Sequence, residues 1–406
     1  MNNNIKKGYR WLFLSVSVVA MLFAGIIYAW SILKVPFAED FAWSPEQLSL
    51  NFTFTMCNFC LGGLLGSFLS CKIGVKASSV ISALLAGSGM ALTGILEGNN
   101  VLMLYLTYAV LAGLGIGIAY NVIISTVSLW FPDKKGFCTG CLMMGFGASS
   151  LILGNLADFL FKTNLGRRGT YIILGISLFA VLGIISLFLK HPDDNIILPE
   201  SKKAAKHYDE AFEEKDYTTK EMLKRFAFWR AFALIAFATA VGNSVISFAR
   251  DLAISVGAKA ALATSLVGVL AVCNGLGRIF TGTLFDALGR KKTMLIATIL
   301  TILAASVTLF SVVTNSIAIC IIGLCLTGLS YGSCPPMVTA FVSAFYGKKH
   351  FASNFSIMNC NLIFASFIAT ACSSLLNTFG GYTVPFILLL GLAVIAFVLN
   401  LSIKKP

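Results

Sequence analysis

The chain has 406 residues, 57% hydrophobic and 12% charged, with a formal net charge of +13 at pH 7. So large an apolar excess excludes a single water-soluble domain around one core. The positive balance would suggest a nucleic-acid partner if its basic residues clustered on a soluble domain; they fall instead in short connections between apolar runs, so they read as topology signals and no nucleic-acid partner is expected.

A bilayer core about 30 Å thick needs roughly 20 apolar residues per helical crossing. Such stretches recur from Tyr9 to Ile403, and the short alternating strands of a β-barrel do not appear. Lys6, Lys7 and Arg10 lead straight into the first run, which is of full span length and has no small-residue cleavage site, so it reads as a retained helix rather than a signal peptide. The predicted spans are Tyr9 to Leu33, Ser49 to Ser70, Ser78 to Leu96, Val101 to Val122, Phe137 to Asp158, Thr170 to Leu189, Phe228 to Phe248, Leu262 to Phe285, Thr293 to Val313, Ser316 to Met337, Phe351 to Leu376 and Thr383 to Ile403. The fold class is therefore an all-α polytopic membrane protein with twelve transmembrane helices. The one long polar stretch divides them six and six, into an N-terminal bundle over 1–190, a linker over 191–225 and a C-terminal bundle over 226–406. Within the linker, Ala204 to Glu214 reads as an amphipathic helix.

Loops rich in Lys and Arg stay in the cytoplasm. With the N-terminus inside, that side holds Lys72, Lys76, Lys134, Lys135, Lys190, Arg290, Lys291, Lys292, Lys348, Lys349, Lys404 and Lys405, besides the linker. Both termini are accordingly expected in the cytoplasm of a plasma (inner) membrane protein. Lys162, Arg167 and Arg168, between the fifth and sixth spans, depart from the trend. The eleven cysteines lie almost wholly in apolar spans and read as small core hydrophobes. Cys57 and Cys60 have CxxC spacing but no second pair or histidine beside them, so neither a metal nor a cofactor is expected.

The two halves repeat one another. Cys57-Asn58 precedes Gly66 as Cys273-Asn274 precedes Gly282, which puts Arg278 opposite Gly62. The stretch from Phe131 to Phe137 after the fourth span matches Phe345 to Phe351 after the tenth, and Tyr120 and Tyr331 close matching glycine-rich runs. Six helices have been duplicated. The loop from Gly282 through Asp286 and Gly289 to Arg290 resembles the GxxxDxxGRR signature of the major facilitator superfamily, which implies the major facilitator fold. Its mechanics are readable: Gly282 and Gly289 admit close approach, and Asp286 can pair with a cation or a helix N-terminus, so these residues and Arg290 form a candidate gate. The first half has Ser70 where the acid would be, and its glycine, Gly74, is shifted.

Arg278 carries the most information, because it sits mid-span with no carboxylate nearby on its own helix. A charge at the bilayer centre costs about 2.5 to 3.5 kcal/mol even on insertion scales. A substrate anion, an acid on another helix, or water and dipoles in a cavity could offset that cost. The spans hold almost no acids, so an anionic substrate is favoured, and a guanidinium fork suits a carboxylate. The same scarcity argues against a buried proton relay and for exchange or facilitated diffusion. Tyr28, Asn58, Tyr120, Asn121, Asn274, Tyr331, Asn359 and Asn361 are expected to face the substrate, because amides and phenols in hydrocarbon need partners. Each alone could equally be an interhelical bond. Pro335 and Pro336 are expected to kink the tenth span.

Taken together, Gly25 to Ser31, Gly113 to Tyr120 leading to Trp130 to Gly136, Asn274 to Arg278 with Asp286 and Arg290, and Gly328 to Gly332 before Tyr346 to Lys349 resemble the oxalate/formate antiporter family within the major facilitator superfamily. The resemblance covers nearly the full length. It implies that Arg278 binds a carboxylate and that Tyr28, Tyr120 and Tyr331 surround the substrate. Oxalate carriers also use a lysine in the eleventh span, and the matching region, Asn354 to Leu362, has none, which favours a monocarboxylate or another singly charged organic anion. The expected protein is a carrier of a small organic anion in the lipid bilayer, read as a monomer. Two competing readings are a carrier of a neutral or cationic metabolite with Arg278 structural, and a transporter-like sensor. With no embedded nucleophile–base pair, an enzyme is not expected.

Overall fold

The structure is a computed structural model that describes residues 3–41, 43–98, 100–192 and 216–404; the helix expected at Ala204 to Glu214 lies outside them. The helices are α1 (Asn3–Ala24), α2 (Trp30–Leu33), α3 (Val35–Phe41), α4 (Pro45–Gly94), α5 (Val101–Leu104), α6 (Gly113–Ser128), α7 (Lys135–Phe161), α8 (Gly166–Phe188), α9 (Thr219–Leu223), α10 (Phe226–Ser255), α11 (Ala260–Thr314), α12 (Ile317–Tyr346), α13 (Phe351–Asn359), α14 (Asn361–Phe379) and α15 (Thr383–Ser402). A 3-10 turn, Gly25–Ala29, joins α1 to α2, and a π-helical stretch, Tyr105–Ala112, joins α5 to α6.

Among the described residues, ten helical runs are long and apolar enough to cross a membrane. Two of them, α4 with 50 residues and α11 with 55, each extend about 75 Å or more, over twice the hydrocarbon thickness. Each is broken by one glycine in a conformation closed to other residues, Gly74 at φ 83° and ψ 164° and Gly289 at φ 72° and ψ 178°. Each therefore supplies two spans, and the total is twelve.

The chain divides into two compact units, Met1–Pro132 with Leu142–Glu200, and Asp133–Cys141 with Ser201–Pro406. Inside each, glycines set the helix register. In the first, a Cβ on Gly62 would lie 2.3 Å from the Leu114 carbonyl oxygen, and one on Gly117 2.1 Å from that of Phe59. In the second, a Cβ on Gly277 would lie 2.5 Å from the Leu329 carbonyl oxygen and one on Gly332 2.2 Å from that of Asn274. Gly277 thus stands for Gly62 as Gly332 does for Gly117, and the same offset carries Gly74 onto Gly289. This corrects the alignment made on Cys-Asn pairs by one residue: Arg278 falls opposite Gly63, and Asp286 opposite Cys71 rather than Ser70. Backbone contact between helices in a membrane depends on small residues, so glycines mark the repeat more faithfully than a shared dipeptide. With the corrected register the loop glycine is not shifted at all.

The three cations that broke the charge trend each have an acid at hand. Lys162 pairs with Asp158 at 2.6 Å, Arg168 approaches Glu97 at 3.9 Å, and the Arg167 Nε donates to Asp40 at 2.7 Å. Arg167 also donates to the carbonyls of Gly94 and Leu96, both at 3.1 Å, and lies over the rings of Phe37 and Phe41. It ties the end of α4 to α3 and the start of α8. Replacing Arg167 by Gln leaves two carbonyls and a carboxylate without their donor and is expected to destabilise the first unit by about 2 to 4 kcal/mol. Thermal unfolding of the purified variant would show it as a melting temperature several degrees lower, and an unchanged melting temperature would refute it.

At the end of the linker, residues 216–219 are laced to the corner between α12 and α13. Tyr217 donates its N–H to the Tyr346 carbonyl at 3.1 Å, the Asn354 amide donates to the Tyr217 carbonyl at 2.9 Å, and Thr219 donates to Asn354 Oδ1 at 2.9 Å. The Asp216 carboxylate accepts the N–H groups of Lys348 and Lys349 at 2.8 and 3.0 Å. The bond from Lys349 leads in holding that carboxyl below its usual range. A carboxyl depressed in the folded state adds stability that is complete above its unfolded value, about pH 4, and fades as pH falls through the lower folded value. Protease resistance at the 346–351 corner is therefore expected to be constant at neutral pH and to weaken only below about pH 4. Asp216→Asn should remove that acid-dependent component.

Candidate functional site

Arg278 lies near the middle of the first half of α11, 3% exposed, with its Nε 3.4 Å from the Asn274 Oδ1 one turn earlier. The pairing follows from helix geometry, because residues four apart share a face. Cys334 of α12 lies within electrostatic range of the guanidinium and bonds to Thr239 of α10, as well as placing its thiol 3.6 Å from the Ser330 carbonyl. A further polar link, Thr301 to Ser330 at 2.8 Å, runs behind it. Tyr331 is 8% exposed and packs against Gly242, where a Cβ would sit 2.4 Å from its ring. These groups all belong to the second unit. Cys334 and Thr239 have no motif, and only the fold brings them together within range of Arg278's charge on the thiol.

α12 continues as one helix through Pro335 and Pro336. Neither proline can donate to the carbonyls of Tyr331 and Gly332. The eleventh span is interrupted instead, at Cys360 between α13 and α14. Asn359 ends α13, 7% exposed, and the Asn361 amide donates to the Met358 carbonyl at 2.6 Å, within the same break.

In the first unit, Tyr28 sits in the 3-10 turn, half-buried, and Tyr120 lies on α6 with Asn121 beside it, 6% and 1% exposed. Phe146 of α7 joins the two tyrosines: its ring is 5.2 Å from that of Tyr28 and 4.9 Å from that of Tyr120, both nearly edge-on. Phe59 completes the group, 5.1 Å from Tyr120. The reading of the sequence missed Phe59 and Phe146, because phenylalanine is common throughout; Gly145 and Gly147 around Phe146 are the one local sign. Asn58 donates to the carbonyl of Phe54 in its own helix at 2.9 Å.

The candidate gate has a definite geometry inside the second unit. Asp286 accepts the N–H groups of Gly136 and Phe137, both at 2.8 Å, one on each carboxylate oxygen. It caps the start of α7, where the first amide groups have no acceptor within their own helix. The approach is possible because Gly282 and Gly136 meet backbone to backbone, and a Cβ on either would lie about 2 Å from the other's carbonyl oxygen. Arg290 lies over the Phe345 ring at 4.5 Å, and Lys135 donates to Ser343 at 2.7 Å over the ring of Phe351. Among the described residues, no group of three or more His, Cys, Asp or Glu could hold a metal ion.

The family model described as Major Facilitator Superfamily matches residues 12–249 and 232–406. The oxalate:formate antiporter of Oxalobacter formigenes is 25% identical over 97% of this chain and 91% of its own. Human monocarboxylate transporter 12 is 31% identical over a shorter stretch, 34% of this chain and 26% of its own. Among solved structures, the proton:xylose symporter XylE superposes with a TM-score of 0.75 at 14% identity, covering 98% of this chain and 97% of the other.

Proposed function

Because the chain belongs to the major facilitator superfamily, whose members are membrane transporters, we propose that it carries a small organic anion, a monocarboxylate in the first place, by exchange or uniport. One observation carries the reading: a permanently charged guanidinium, Arg278, is 3% exposed in the middle of a membrane span. A planar fork in that position offers two parallel hydrogen bonds to a carboxylate. Supporting it, one relative is an antiporter of oxalate and formate and another a monocarboxylate transporter, while the stretch from Asn354 to Leu362 has no lysine for a second negative charge.

In this reading Arg278 and Asn274 hold the carboxylate, and Tyr28, Tyr120, Asn121, Tyr331, Asn359 and Asn361 line its path. Asp286, with Gly282, Gly289 and Arg290, stabilises one state of an alternating-access cycle by capping α7. The chain sits in the plasma membrane with both termini and the linker in the cytoplasm. Reconstituted vesicles preloaded with unlabelled small carboxylates test it. Saturable uptake of a labelled monocarboxylate is expected, faster with a monocarboxylate inside and slower for a dicarboxylate. Flux confined to a sugar or an organic cation would overturn it.

A further inference from the structure

A surface patch in the second unit is not used by the transport reading and does not depend on it. It begins where the linker ends. A capping box closes α9: Thr218 accepts the Glu221 N–H, and Glu221 accepts the Thr218 N–H at 2.8 Å, which engages the one acid of this short helix. Met222 is fully buried and fixes which face turns inward. Lys220, Lys224 and Arg225 are left on the outside, and α10 starts immediately after them.

The opening of α10 is unusual for what it exposes. Phe226 is 82% and Trp229 52% exposed. Trp229 is held in place: its indole donates to the Leu223 carbonyl at 2.9 Å, and the neighbouring Arg230 donates to the Ser402 carbonyl at 2.8 Å. From Trp229 an aromatic path continues through Phe232 to Phe364, which is itself 57% exposed on the apolar wall of the bundle. None of the ion pairs among the described residues involves Lys220, Lys224, Arg225 or Arg230.

We propose that this face, Lys220, Lys224 and Arg225 before α10 with exposed Phe226, Trp229 and Arg230 at its start, is a binding surface for an anionic phospholipid. The charge complementarity and the order along the chain argue for that one occupant. Cations precede the span and suit the phosphate, an indole with a satisfied N–H stands at its start as interfacial aromatics do, and the rings of Phe232 and Phe364 continue from it for the acyl chains. A soluble anion would match the cations but gain nothing from the aromatic wall. A zwitterionic lipid would match the wall but gain little from four cations. Because Asp216, Tyr217 and Thr219 lace the same segment to the α12–α13 corner, an occupied patch would also hold that corner in place.

The test uses the purified full chain, stripped of lipid in detergent, titrated with phosphatidylglycerol, phosphatidylcholine or free glycerol 3-phosphate. Phosphatidylglycerol is expected to bind well above phosphatidylcholine, and glycerol 3-phosphate not measurably. In the double variant Lys224→Gln, Arg225→Gln, affinity for phosphatidylglycerol should fall roughly 20- to 30-fold, about fivefold for each cation. Phe226→Ser with Trp229→Ser should weaken the long-chain lipid while leaving its salt dependence intact. Equal binding by wild type and the double variant would overturn the proposal, whether the patch is unused or filled by another part of the chain. Equal binding of glycerol 3-phosphate and the lipid would overturn it too, by showing a small-anion site. Salt dependence of the wild type needs no variant: affinity that does not fall as salt rises would sink the idea by itself.

Discussion

Arg278→Gln is expected to abolish carboxylate uptake in reconstituted vesicles while leaving a folded, correctly inserted protein. Glutamine fills similar space and removes the charge, so insertion becomes easier while the substrate loses its counter-ion. Removing one partner of a buried, hydrogen-bonded charge pair costs about 2 to 5 kcal/mol, which is roughly 30-fold to several thousand-fold in affinity. Arg278→Lys keeps the charge but replaces a two-pronged planar donor with a point charge, so partial binding with lower selectivity among carboxylates is expected. Uptake by Arg278→Gln at the wild-type rate would assign the arginine a structural role and transfer the argument to a neutral cargo.

Asp286→Asn should have the second-largest effect, and a different one. The carboxylate accepts two amide N–H groups, one on each oxygen. Asparagine can accept only one and presents N–H to the other, so an acceptor is replaced by a clash between donors. A charge-assisted bond of this kind is worth about 1.5 to 3 kcal/mol. Helix α7 should then leave α11 more often, on the order of tenfold or more. Thr139, fully buried and 3.3 Å from Thr339, reports on it. In a Thr139→Cys background freed of other reactive thiols, Asp286→Asn should raise the rate of alkylation by a maleimide about tenfold or more. An unchanged rate would mean that the cap does not restrain α7. Binding at equilibrium should be altered far less than turnover, which separates this residue from Arg278.

The register correction shows what each level of description can see. The alignment of halves on Cys57-Asn58 and Cys273-Asn274 used side-chain identity, and it was one residue out. Packing aligns Gly62 with Gly277 and Gly74 with Gly289, because those positions are constrained by backbone contact and positive φ, which only glycine meets. Likewise α12 continues as one helix through its double proline, while the eleventh span is divided at Cys360, between two asparagines. Proline reports which amide is missing; whether the helix bends depends on what packs around it.

Hydropathy, charge placement and the internal repeat were enough to determine twelve spans, a duplicated bundle and an arginine with no acid within its own span, because the bilayer imposes a length and a price on charge that any chain must obey residue by residue. The tertiary structure alone decided that Cys334 pairs with Thr239 within electrostatic range of Arg278, that Phe146 joins Tyr28 to Tyr120, and that Asp286 caps α7. Those contacts join residues far apart in the chain, and local sequence carries no term for the angle and distance at which two helices meet.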